Sequence, residues 1–543
     1  MLNDAHPTEA ARAVSASHAF WQAAGSELHA ALPAPSSDIA GAFAALRDLG
    51  ALVIVHGPAA CLETYAACDE PRLVDQPARL FASGLGEAAC DGGRLSSSTP
   101  CEGGGPSFSP ADSADLVPRD SSAVDTALVE RACALWDAVG GAFIAIVGTP
   151  FSTRVGTGYP GAVRAIEAHC GVPTIVLLMR GCASYPAGVS QALLAVAQML
   201  MRGGARPSRR SSHTVNLLGA TPLDVARQAD VDEARVLLEA SSWRVVSCWG
   251  MGSDVGALMD GMATAQANVV LTSAALPLAR WMRAELGIPY VWGTLSGAHG
   301  PADLIARLGH IAAGEDVPAY PGRRADAVNL SGDPDVAHSE GAGRRALVVA
   351  DPVLAESLRG ALEDDLGFSQ VDIATAVPLP ADVAALFAED AAAGLRGAEP
   401  APDPLDASPA SPRGSRSGLP CRGDLGCIDE VRLTQLMAVG TYDIVVGDPA
   451  LAALMDVEAP AEASSASNAS TPAGLVSEGA PASNAFAPAG SASGGRLVPN
   501  VPATMAPRLV PIPQVGLGGR TNLIAAATPY GPRFLDAVRR ALT

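Results

Sequence analysis

Lysine is missing from all 543 residues, and every one of the 36 basic side chains is arginine. That absence excludes a phosphate loop ending in Gly-Lys-Ser/Thr, and it excludes Schiff-base chemistry on a lysine. If nucleotide hydrolysis drives this protein, another chain performs it, and no nucleotide is expected here. Aromatic residues are also scarce, at 4%, so the cores must be built from Ala, Val and Leu. No uninterrupted apolar run approaches the roughly 18 residues of a membrane span. The first twenty residues show no basic stretch followed by an apolar core, so no secretory signal is expected and the cytoplasm is the expected location. Cations are outnumbered, with a formal net charge of −20. Nucleic acid and anionic membrane are therefore disfavoured as partners, because phosphate binding needs clustered positive charge.

Hydrophobic residues make up 48% of the chain, enough for several cores, and the length implies about three domains. Short apolar runs alternate with Ala-rich helical stretches. Ala51–His56, 142–148, Thr174–Leu178, 215–218, 245–249, 269–272, 289–292, 347–350, 371–374, Ile444–Gly447 and 509–512 read as strands. The segments 124–139, 188–201, 275–286 and 352–362 read as helices. Strands that are apolar on both faces and separated by single helices predict parallel sheets covered on both sides. The expected fold is α/β, with three doubly wound domains.

The expected organisation is an N-terminal helical arm at 1–40, a first α/β domain at 41–202, a second at 214–320 and a third at 344–543, with linkers at 203–213 and 321–343. The stretches 96–122, 391–423 and 460–495, rich in Ser, Pro, Gly or Ala, have too little apolar surface to offset chain ordering and read as insertions. Arg206, Arg209 and Arg210, in the first linker, read as a solvated loop.

Chemistry in such folds sits outside the carboxyl ends of strands. The stretch Val53-Ile54-Val55-His56-Gly57-Pro58-Ala59-Ala60-Cys61 runs a strand into a Gly-Pro turn that delivers a cysteine. The ten cysteines (61, 68, 90, 101, 133, 170, 182, 248, 421, 427) read as thiols or ligands rather than disulfides if the chain is cytosolic. Each also suits a small buried hydrophobic position. Gly156-Thr157-Gly158, with Arg154, offers either an anion cradle or a plain strand–helix turn. Trp249 and Trp292 either wall a pocket for a flat macrocycle or pack a core. Cys421 and Cys427 have no further ligands at zinc-site spacing and read as free thiols.

Several stretches, in order, resemble the component 1 superfamily of nitrogenase-type oxidoreductases, which includes the light-independent protochlorophyllide reductases. They are His56 to Cys61, Gly86-Glu87-Ala88-Ala89-Cys90-Asp91-Gly92-Gly93, Val147 to Gly158, Asn216-Leu217-Leu218-Gly219, Trp249 to Asp254, and Asn268 to Pro289. The resemblance implies a subunit, not itself nitrogen-fixing, that accepts electrons from a separate ATP-dependent iron–sulfur reductase and reduces a bound substrate. It also implies a dimer, of two copies or with a paralogous subunit, and an iron–sulfur cluster, [4Fe–4S] in kind, shared between subunits. Cys61 and Cys90 are the expected metal ligands, Cys68 a further cofactor contact, and His56 and Glu87 the expected acid–base residues. Three departures bear on this. The region Leu32 to Asp38 lacks the family's upstream cysteine, Pro150 stands where another ligand is common, and Thr272 falls where true nitrogenases carry a cofactor cysteine. The alternative expectation is a scaffold or binding protein of the same fold without a redox cluster.

Overall fold

The structure, a computed structural model, describes residue 32 and residues 35–57, 80–82, 121–154, 156–204, 209–225, 227–320, 340–395, 424–438, 442–455, 507–512 and 528–543. Cys61, Cys68, Glu87 and Cys90 lie outside these residues, as does most of the expected N-terminal arm.

Among the described residues thirteen strands form three wholly parallel sheets. The first has the order β2-β1-β3-β4, from β1 (Ala51–His56), β2 (Leu80–Ala82), β3 (Phe143–Gly148) and β4 (Thr174–Leu178). The second has the order β6-β5-β7-β8, from β5 (Thr214–Ala220), β6 (Arg244–Gly250), β7 (Ala267–Val270) and β8 (Tyr290–Trp292). The third has the order β11-β10-β9-β12-β13, from β9 (Arg345–Val349), β10 (Gln370–Thr375), β11 (Asp424–Cys427), β12 (Ile444–Gly447) and β13 (Arg508–Pro511). The expected α/β class with three doubly wound sheets is therefore what the chain adopts.

The apolar runs explain themselves in this packing. In β1, Val53 and Val55 enter one large core that reaches as far as Val538, whereas Leu52 and Ile54 enter a second core under the helices Ser121–Val139 and Tyr159–Cys170. Both faces are covered, so alternation with polar residues disappears. Each fully buried Val, Leu or Ile contributes about 1.5–3 kcal/mol.

Three expectations are corrected. Ser121 and Ser122 open the Ser121–Val139 helix rather than closing an insertion. The helix Ala381–Leu395 runs into the stretch beginning at 391, where Ala391 is buried, because alanine is the strongest helix former as well as a low-complexity residue. Arg210 is not part of a solvated loop. Its guanidinium donates to the carbonyls of Met262, Ala263 and Leu286, closing the ends of two helices, as cations at helix carboxyl ends do.

Candidate functional site

A doubly wound sheet opens a crevice where its strand order reverses, outside the carboxyl ends of the two strands involved. That point lies between β1 and β3 in the first sheet, β5 and β7 in the second, and β9 and β12 in the third.

At the first reversal His56, the last residue of β1, pairs with Gly148 at the end of β3. Its carbonyl accepts from the Thr149 amide (3.4 Å) and Thr149 Oγ1 (2.9 Å). Its Nε2 hydrogen-bonds Thr157 Oγ1 at 3.2 Å, and the ring stands edge-on to Tyr159 at 5.9 Å. The imidazole is fully buried, and burial drives its pKa down to about 4 against an opposing pull from Asp125. It is therefore neutral at neutral pH. The neighbouring glycine turn is occupied by the chain itself, since the Gly158 amide donates to Asp125 Oδ1 at 2.8 Å. That N–H is not available to an external anion.

At the second reversal Thr272 Oγ1 donates to the Gly219 carbonyl at 2.9 Å, and both strand ends are buried. Gly219 adopts φ +87, and a side chain there would run into Thr272, so glycine is required. The next residue joins the second sheet to the third. The Ser273 amide donates to Asp351 Oδ1 (2.9 Å) and Oδ2 (3.0 Å), and Ser273 Oγ donates to Oδ2 as well.

Asp351 follows β9 and Asp448 follows β12, so the third reversal presents two carboxyls. Asp351 also accepts from the Val353 amide at 3.0 Å, capping the helix Pro352–Gly360. Asp448 Oδ1 accepts from the Ala450 amide at 2.7 Å, while Oδ2 is buried with no hydrogen-bond partner among the described residues. Burial pushes both carboxyls up to about 6. Asp224 lies close by and is pushed up by burial and by Asp351. Among the described residues the buried Tyr530 hydroxyl has no hydrogen-bond partner, and burial together with Asp230, Cys248, Asp351 and Asp224 raises its pKa. This acidic seam was not singled out from the sequence. The available signal was a repeated strand-Asp-Pro ending, Val348-Val349-Ala350-Asp351-Pro352 and Val445-Val446-Gly447-Asp448-Pro449.

Trp249 and Trp292 are core residues, the latter stacked on Phe387 at 4.8 Å. Cys427 is the last residue of β11, an edge strand that was not anticipated, and its buried thiol is pushed up to about 12. Cys248 is buried and equally raised. Cys182, exposed just beyond β4, is the one thiol that the described part of the first sheet places past a strand end. Among the described residues no three His, Cys, Asp or Glu side chains converge on a metal position. This part of the chain alone therefore does not fit a four-thiolate cluster, which needs converging sulfur donors. Also among these residues, no helix is long and apolar enough to cross a membrane.

No curated protein matches the sequence significantly. Two solved structures align with it, described as "Nitrogenase Cp1 at pH 6.5" and "Nitrogenase Cp1 at pH 5". They cover 80% and 78% of this chain and 85% and 81% of theirs, at 13% and 15% identity and TM-scores of 0.47 and 0.46. The sequence profile of the family described as "Nitrogenase component 1 type Oxidoreductase" matches residues 136–402, a span that runs from β3 through β10 and takes in the whole second sheet. Over just under half of its length, the chain is thus similar, as a divergent sequence, to the nitrogenase component 1 type oxidoreductase family.

Proposed function

We propose that this chain is the electron-accepting subunit of a two-component reductase. A separate ATP-dependent iron–sulfur reductase supplies electrons, and a ligand bound at the carboxyl ends of the sheets is reduced. The supporting observation is that the family match spans the junction where the reversal points of the second and third sheets meet, at Ser273 and Asp351. The absence of lysine suits this division of labour, because the nucleotide loop must then reside elsewhere.

Cys61 and Cys90, with Cys68 beside them, are the residues we assign to hold an iron–sulfur cluster shared by two subunits. Such a cluster would supply one-electron transfer. His56 is buried and neutral at the strand end that leads into the Cys61 turn. Glu87 remains assigned as an acid beside Cys90. A second reading, a scaffold of the same fold, is favoured by Thr272, whose hydroxyl is committed to Gly219 where a cofactor thiol would otherwise stand.

Anaerobic purification with iron and sulfide analysis decides between the two readings. Visible charge-transfer absorbance in the wild type that is lost in Cys61→Ala is the expected result. Iron-free, colourless protein that is folded and dimeric would overturn the electron-transfer reading and leave the scaffold.

A further inference from the structure

A second titratable pair lies along the same seam, away from His56. The helix Pro352–Gly360 ends in a single π turn, Ala361–Asp365. This wider turn carries Asp365, whose carboxylate is directed to the start of the helix His299–Ala312. There it accepts from the Ala298 amide at 2.9 Å, the His299 amide at 3.2 Å and the His299 ring through Nδ1. The approach is so close that Gly297, at φ +73, has no room for a side chain, because a Cβ would meet Asp365 Oδ2. π turns recur at functional sites, where the inserted residue redirects a side chain.

Two other histidine–acid pairs show what an incidental surface pairing looks like here. In His169–Asp137 and His310–Glu315 all four side chains are more than half exposed. In His299–Asp365 the carboxylate is 4% exposed and the ring 34%. Capping the helix would need only the carboxylate, so the imidazole adds something the cap does not require. Among the described residues the ring has one hydrogen bond, to Asp365, and it engages Nδ1. Nε2 is left for a ligand. A buried carboxylate that fixes Nδ1–H sets the tautomer and orientation of an imidazole that works through its other nitrogen.

We infer that His299 is an acid–base residue, its Nδ1–H held by Asp365 and its Nε2 presented for proton transfer to a ligand at the seam between the second and third sheets. The inference rests on the reductase reading for what it protonates. For each electron delivered by the iron–sulfur reductase, solvent hydronium protonates Nε2 and the imidazolium passes that proton to the ligand. The ring thereby returns to its neutral, Nδ1–H form.

The test uses the full chain and does not require turnover. In spectra of protein labelled with 15N-histidine, the signals lost in His299→Asn identify the ring. At a pH where the ring is neutral, the expected result is protonation at Nδ1, which is the minor tautomer of free histidine. Carbethoxylation by diethyl pyrocarbonate, read by mass spectrometry, should modify His299 several-fold faster than the more exposed His169 and His310. Asp365→Asn should abolish that advantage. An Nε2–H tautomer, or a rate that merely follows exposure and ignores Asp365→Asn, would overturn the inference. In protein that turns over with a reductase, His299→Ala should lose at least tenfold in kcat and regain activity with added imidazole; no loss would also overturn it. Chemically reactive His299 in a chain that accepts no electrons would instead sink the reductase reading and leave the acid–base site intact.

Discussion

Asp448 is a carboxyl placed where its charge is costly. One oxygen is satisfied by the Ala450 amide and the other is buried without a hydrogen-bond partner among the described residues. Its pKa in the folded chain, about 6 against the ordinary 3.8, means that folding favours the protonated form. The penalty is fully present above pH 6, shrinks as pH falls towards 4, and is gone below the unfolded value. Asp448→Asn keeps the acceptor for Ala450 and removes the charge. At about 1.4 kcal/mol per pH unit, it should gain up to about 3 kcal/mol in urea denaturation at pH 7 and nothing near pH 4. Equal stability of variant and wild type at pH 7 would show that a cation or donor already neutralises this carboxylate. His56 acts in the opposite sense. Its folded pKa of about 4 lies below the ordinary 6.5, so stability is lost as pH falls between those values. The turn bearing His56 was legible in the sequence because a strand end followed by Gly-Pro is a local pattern. Its neutrality was not, because that comes from burial against Thr157 and Tyr159, a hundred residues away.

Between elements, a close backbone approach is made by the helices Asp38–Leu46 and Tyr185–Arg202. Gly188 and Gly41 face each other's backbones, and a Cβ on either would run into the Asp38 or Tyr185 carbonyl respectively. Asp38 adds to the same junction by accepting from the Arg180 amide at 2.7 Å. Gly188→Ala should therefore cost about 1–3 kcal/mol or more by overpacking. Combining it with Gly41→Ala should cost less than the sum, since both probe one contact. Additive losses in denaturant titrations would show that the helices do not touch there. Interior strands were readable because their apolar runs are self-sufficient. The edge strands Leu80–Ala82 and Asp424–Cys427 were not, since only the ladder of a neighbouring strand makes so short a segment extended.

Across the molecule, the helix Pro352–Gly360 and its π turn are the strut between the second and third sheets. Asp351 meets Ser273, Ser357 Oγ meets Ser296 Oγ at 2.8 Å and its amide at 3.0 Å, and Asp365 meets Ala298 and His299. The serine and Asp351 contacts are buried and those of Asp365 partly so, and a lost partner leaves its buried mate unsatisfied, at about 1–3 kcal/mol per orphaned group. Asp351→Ala is expected to lower stability by about 2–4 kcal/mol. It should also speed hydrogen exchange at Ser273 and Val353 together while the first sheet stays protected. Uniform loss of protection in all three sheets would mean that the seam is not a separate opening unit.

Apolar runs such as Val53–Val55 and Ile444–Val446, read with the helices between them, determined a chain of parallel sheets from sequence alone. The reason is that a strand covered on both faces must be apolar whatever surrounds it. The order of motifs around His56, Val147–Gly158 and Asn268–Pro289 likewise carried the family resemblance. Only the tertiary structure decided which strand ends meet, because convergence at a seam depends on how whole sheets are docked. Asp351 beside Ser273, Asp365 on His299 and Tyr530 among buried acids are each separated in sequence by dozens to hundreds of residues, and no local pattern encodes their pairing.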